Sequence, residues 1–135
     1  MSKREKRAAT RVESATRRLV EAYLRAGAEP WWPPGREAEA QVDNLAMHDP
    51  ETFWQFLLLL LERRPGLTDL VHLGGALTWL LRYHPDQFDE RVAGLARREQ
   101  QMRDVLSSVD PNRIAPDVWA KIDTAIREAD AAQYS

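Results

Sequence analysis

The chain has 135 residues, 19 basic and 21 acidic, giving a formal net charge of −2, and it contains no cysteine. That length suits one domain around one core, and the absence of thiols excludes a disulfide framework, thiolate metal sites and cysteine nucleophiles. The longest apolar run, FWQFLLLLL from Phe53 to Leu61, is far short of the roughly 20 residues of a membrane span, so it reads as a buried helix.

Residues 1–18 form a basic arm. Lys3, Arg4, Lys6, Arg7, Arg11, Arg17 and Arg18 stand against Glu5 and Glu13, a balance of +5 that leaves −7 on residues 19–135. Such an arm either touches nucleic acid, an anionic surface or an acidic protein, or is a frayed and solvated helix start. Nucleic-acid binders usually carry a basic face over the folded body as well, and this body is acidic. The arm has charges without the apolar segment and small-residue cleavage site of a secretory signal, which gives the expectation of a cytoplasmic protein without a membrane partner.

In chain order, Val12, Ala15, Leu19 and Tyr23 recur at three- and four-residue spacing and predict a helix over about 8–26 with that stripe inward. Prolines in AEPWWPPG (28–35) interrupt it. A second helix over about 37–48 presents Ala38, Val42, Leu45 and Ala46. Asp49 is then expected to accept a backbone N–H bond as cap, with Pro50 at the first helical position and Glu51 on the dipole; this third helix ends at Pro65-Gly66. A short helix or turn over 67–73 leads to Gly74-Gly75, read as a hinge or helix entry. Helices follow over about 76–83, 85–99, 101–107 and 116–131, the last with Val118, Ile122 and Ile126 every four residues. No alternating strand pattern occurs. The expected fold is all-α, a compact bundle of about six to eight helices in a single domain over 19–135.

NLAMHDPETFWQF and LLRYHPDQFDERV align at a shift of about 36 residues, both helix, tight Pro/Asp turn, helix. This spacing is that of stacked αα-hairpins of the HEAT or TPR kind, although any two such hairpins look alike at the turn. The second segment contains His84-Pro85-Asp86, the signature tripeptide of J-domain co-chaperones. The basic helix before it and the aromatic helix after it are missing, so the tripeptide reads as punctuation: His84 ends one helix, Pro85 opens the next and Asp86 meets its dipole.

A wider set of residues runs from Leu45 to Ile122: Asp49, Pro50, Glu51 and Trp54; Gly74, Leu77, Leu80 and Leu81; His84 and Phe88; Ala96, Arg97 and Arg98; Leu106 and Trp119. In these the chain resembles a bacterial all-helical family of domains of unknown function (DUF6869-like). The resemblance implies a helical fold and brings no activity with it. Thr78 stands where that family usually has Glu, so no role of that carboxylate carries over.

Chemistry-bearing groups are sparse. His48 and His84, at equivalent turns, with Asp49 and Asp86 beside them, are the candidates for a polar or metal site, against the reading that a His at a helix C-terminus is held by the dipole. No His-x-x-x-His spacing or phosphate-cradling Gly loop occurs, and neither enzyme activity nor a cofactor is expected. Trp54, Trp79 and Trp119 are assigned to the core. Trp31 and Trp32, adjacent in a proline-flanked loop, either cover one end of the bundle or form a contact site. The sequence therefore points to a non-enzymatic protein-interaction module, an adaptor or inhibitor, with Trp31, Trp32, Lys3, Arg4, Lys6, Arg7 and Arg11 as contact residues. Its rival is a nucleic-acid-associated protein using the arm electrostatically.

Overall fold

In the computed structural model, which describes residues 2–29 and 34–133, the chain is helical from its first described turn. Helix α1 spans Lys3–Ala28, α2 Pro34–His48, α3 Pro50–Glu62, α4 Leu67–His72, α5 Gly74–Tyr83, α6 Pro85–Arg98, α7 Gln100–Leu106 and α8 Pro116–Gln133, with one 3-10 turn at Pro111–Arg113. There is no strand among the described residues. No helix among them is long and apolar enough to cross a membrane. Trp31 and Trp32, proposed above as contact residues, lie outside the described residues.

The expected start of the first helix near residue 8 is corrected to Lys3. Ser2 caps it, its Oγ accepting the Glu5 backbone N–H at 3.1 Å. This is the first half of a capping box, Ser-x-x-Glu, which satisfies a backbone donor that a helix end otherwise leaves to water. The arm is thus helical from Lys3 onward. Its stripe is also corrected. Thr16, Val20, Tyr23 and Ala26 are the buried residues of α1, whereas Val12 is 45% exposed and Ala15 is exposed. The periodic pattern is real, but only the later part of α1 has the body of the protein beneath it.

One contiguous core joins the helices. Phe53, Phe56, Leu57 and Leu60 of α3, Leu77, Leu80 and Leu81 of α5, Phe88 and Val92 of α6, Met102 of α7 and Ile122 of α8 are all fully buried within it. Helix α2 lies between α1 and α5, α4 rests on α7, and α6 packs along α8. The hairpins α2–α3 and α5–α6 sit side by side. Their second helices touch through Trp54 and Phe88, ring centroids 5.7 Å apart, and through Arg91 Nη1, which donates to Glu51 Oε2 at 2.8 Å. That bond holds the Glu51 carboxyl below its ordinary range. Lys121 of α8 donates to Asp89 of α6 at 2.8 Å and pairs with Glu90 at 3.0 Å, which holds the Asp89 carboxyl low. These pairs orient α8 on α6, while the apolar contact beneath supplies most of the free energy, because exposed ion pairs contribute little.

Two local expectations change, and Thr78 gains a structural role. Asp49 does occupy the cap position of α3, but it makes no side-chain bond to the backbone; its Oδ2 accepts from Thr52 Oγ1 at 2.9 Å instead. Trp54, Trp79 and Trp119 are half-buried and pack against the margin of the core, where an indole keeps its N–H near water while its rings cover apolar neighbours. Trp79 stacks on Tyr83 at 5.9 Å. Thr78, noted above for the missing carboxylate, is buried at 5% exposure. Its Oγ1 donates to the Gly74 carbonyl at 2.8 Å and accepts the Asp110 N–H at 3.3 Å, so a neutral hydroxyl joins α5 to the loop before α8.

Candidate functional site

Among the described residues, the site candidates singled out from the sequence fall into two places. His48, Asp49, His84 and Asp86 lie at the turns of the two adjacent hairpins. His84 is half-buried, and its Nε2 lies 2.7 Å from the Met47 carbonyl oxygen. A carbonyl only accepts, so Nε2 carries the proton, and the ring joins the α5–α6 turn to the end of α2. Pro85 is at the first position of α6, with Asp86 in its first turn. His48, Asp49 and Asp86 are exposed. Among the described residues no group of three or more His, Asp or Glu is arranged to hold a metal ion.

The His84 bond has a measurable weight. His84→Ala leaves the half-buried Met47 carbonyl without its donor and is expected to cost about 1–2 kcal/mol in urea denaturation. His48→Ala, at an exposed position, should stay within about 0.5 kcal/mol. Equal effects of the two would remove the structural role given to His84.

The second place is α1. Lys3, Arg4, Lys6, Arg7 and Arg11 are all exposed, as is every residue from Ser2 to Ala15. At 3.6 residues per turn, Arg4, Arg7, Arg11 and Arg18 fall on one row, on the side of α1 away from Thr16, Val20 and Tyr23. Arg17 is paired with Glu13 at 3.0 Å. Lys6, Arg7 and Arg11 meet no carboxylate among the described residues; Arg11 Nε reaches only the Arg7 carbonyl at 3.4 Å.

Helix α1 runs beside α3 in the same direction, since Val12 shares a groove with Asp49 and Thr52 while Glu21, further along, pairs with Arg63. On its other flank Ala9, Val12 and Glu13 face Gln55, Leu58, Leu59 and Glu62 across a groove of about 490 Å³. Leu58 is 39% exposed there. The strip therefore meets α1 at Ala9, Val12 and Glu13, on the side of the helix opposite Arg7 and Arg11. Reading the sequence missed this strip because Val12 and Leu58 both belong to apolar patterns that point inward; the signal available was that Leu58 falls on the side of α3 that also carries Glu51, Gln55 and Glu62.

A further group not anticipated from the sequence lies between α1, α2 and α4. His72 Nε2 is 3.2 Å from Glu39 Oε1, and the His72 ring is 6.1 Å from that of Tyr23. Burial, then the carboxylates of Glu39, Asp69 and Asp43, push the Tyr23 phenol up. Burial and the neighbouring Glu39 push the Asp43 carboxyl up, with His72 opposing. Partly exposed carboxylates facing one exposed imidazole form an ion-pair group, and such groups perturb pKa values at structural as well as at functional positions.

A family model described as "Family of unknown function (DUF6869)" matches residues 23–130. No curated protein and no solved structure matches the chain. The matched region begins at Tyr23, so the basic residues of the arm, Lys3 to Arg18, lie before it.

Proposed function

The chain belongs to DUF6869, a family of unknown function, and from that premise we propose that it is a non-enzymatic protein-interaction module, an adaptor or inhibitor, whose contact surface is the exposed half of α1. Lys3, Arg4, Lys6, Arg7 and Arg11 supply the charge, and Trp31 and Trp32 supply aromatic contacts by their residue type. The observation that carries this reading is that Ser2–Ala15 form a capped helix with every side chain exposed. Ordering so many residues costs conformational entropy, and a preformed helix spares a binding partner that cost. The arm opposes the charge of the body, so it attracts acidic surfaces while the body repels them.

Placement in the cytoplasm accords with this reading. The rival reading, nucleic-acid association, draws on the row Arg4, Arg7, Arg11 and Arg18. It is disfavoured by Glu5 and Glu13 on the same helix and by the −7 balance of residues 19–135, which phosphate would meet next.

Cross-linking capture with the full chain, compared with Arg4→Glu/Arg7→Glu and with Trp31→Ala/Trp32→Ala, tests the proposal. Both variants should retain the helical circular dichroism and melting temperature of the parent and lose the captured proteins. Capture that survives the charge reversal overturns the role of the arm. Duplex binding that is strong at low salt, collapses as salt rises and vanishes on removal of residues 1–18 transfers the assignment to nucleic acid.

A further inference from the structure

The group of Tyr23, Glu39, Asp43, Asp69 and His72 plays no part in the contact surface of the arm. It lies toward the other end of α1, where three helices each turn residues one turn apart toward the same notch: Tyr23 and Gly27 of α1, Glu39 and Asp43 of α2, Asp69 and His72 of α4. His72 Nε2 is 3.2 Å from Glu39 Oε1, the His72 ring is 6.1 Å from that of Tyr23, and a Cβ built on Gly27 would collide with the Asp69 carboxylate. The charge in this notch does not balance. Glu39, Asp43 and Asp69 are half-buried and face one imidazole, which pairs with Glu39; the Asp43 and Asp69 carboxylates have neither hydrogen bond nor ion pair among the described residues. Asp69 also lies against the last turn of α1, where the helix carbonyls carry partial negative charge. Tyr23 is an independent sign of a missing partner. It is 5% exposed, yet its hydroxyl has no hydrogen-bond partner among the described residues, although a buried phenol ordinarily finds one. That hydroxyl faces the notch, since after burial it is Glu39, Asp69 and Asp43 that disfavour its ionisation. Packing edge-on against Phe56 needs only the ring, which phenylalanine would supply.

We infer that this notch is a guanidinium-binding site that takes an arginine side chain of a partner protein, with Asp43, Asp69 and the Tyr23 oxygen accepting its N–H bonds and Glu39 remaining with His72. The excess of negative charge selects a cation. Among cations the placement of the carboxylates selects a guanidinium: they stand on separate helices, and no group of three or more His, Asp or Glu among the described residues is arranged to hold a metal ion. A planar fork with five donors bridges such dispersed acceptors, whereas an ammonium is a compact point charge. The notch is open, His72 being exposed, so it holds the end of a side chain and does not enclose a whole small molecule. This site stands apart from the basic arm, and either can fail without the other.

The test is titration of the full chain with N-acetyl-argininamide, followed through the Tyr23 and His72 ring resonances by NMR, with N-acetyl-lysinamide and free arginine as comparisons at matched ionic strength. The arginine amide should give saturable shifts in the millimolar range, as suits one side chain, and the lysine amide should bind several-fold more weakly. Asp43→Asn and Asp69→Asn should each lower affinity by about fivefold or more and Tyr23→Phe by a smaller factor, while Asp117→Asn, an exposed carboxylate on α8, changes nothing. The two notch asparagine variants should keep or raise the parental melting temperature, because each removes an unpaired charge. Absence of saturable shifts, or affinity unchanged in both, overturns the site. Equal binding of the lysine amide, or equal loss with Asp117→Asn, reduces it to a diffuse acidic surface and overturns it as well. Free arginine binding more tightly than the amide assigns the notch to a small molecule and overturns the partner protein. Calcium or zinc displacing the amide assigns it to a metal ion and overturns the guanidinium. Self-association in sedimentation that Asp43→Asn/Asp69→Asn abolishes makes a second copy of the chain the source of the arginine and overturns a separate partner.

Discussion

Phe56→Ala should lower stability by about 3–5 kcal/mol, on the scale of a small domain's entire margin of about 5–15 kcal/mol. Phe56 is fully buried and joins two helices that are far apart in sequence. Its ring meets Tyr23 of α1 edge-on at 5.5 Å and lies 6.3 Å from Phe53 on its own helix. Alanine opens a void between α1 and α3 that close-packed neighbours fill only in part, and it forfeits the aromatic pair as well. Thermal melting followed by circular dichroism should show a fall on the order of 10–20 °C. A fall of only a degree or two would mean that α1 is held by something other than this contact, and the platform on which its basic half stands would need a different account.

Gly74→Ala carries the second large effect, by the opposite mechanism. A Cβ built on Gly74 comes within 2.9 Å of the backbone carbonyl carbon and the Cβ of Ser108, at the close approach of α5 to the chain just after α7. No rotamer relieves a clash with backbone. Ser108 is itself fixed, its Oγ donating to the Val71 carbonyl and lying 3.1 Å from that of Val105. Overpacking of this kind costs about 1–3 kcal/mol. Gly75→Ala is the control, since a Cβ there meets nothing within 4 Å; it should be neutral or stabilising by roughly 0.5–1 kcal/mol, as expected for alanine replacing glycine inside a helix. Chemical denaturation of both variants decides the matter. Equal effects would show that Gly74 is present for helix entry, as the sequence suggested, and not for close approach.

These two residues also mark how far the pattern of residues reaches. The core positions Val42, Ala46, Phe88, Val92, Val118 and Ile122 were legible because each recurs at helical spacing, and the order of helices was legible because prolines and glycines punctuate it. The start of α1 was equally available in Ser2-x-x-Glu5, a cap set inside a dense block of charge. Gly74 looked like a hinge because a glycine pair carries no record of the distant Ser108 that crowds one of its members. Thr78 looked like a lost carboxylate, although its hydroxyl serves Gly74 and Asp110 at once.

The candidate contact surface divides along the same line. The basic block was plain in the sequence, because charge is a property of residues alone. The apolar strip on the other side of α1 was not, because periodicity states which residues share a side of a helix and is silent on whether another helix covers that side.

Sequence alone therefore determined the class of the fold, the order of its helices and the charge opposition between arm and body, all of which follow from spacing and composition over short stretches of chain. The tertiary structure decided which apolar residues remain uncovered, that His84 bonds the carbonyl of Met47 and that Leu58 stays exposed beside Ala9 and Val12 of α1. Those outcomes depend on how far each helix extends past its neighbours, a quantity set by the packing of residues distant in sequence.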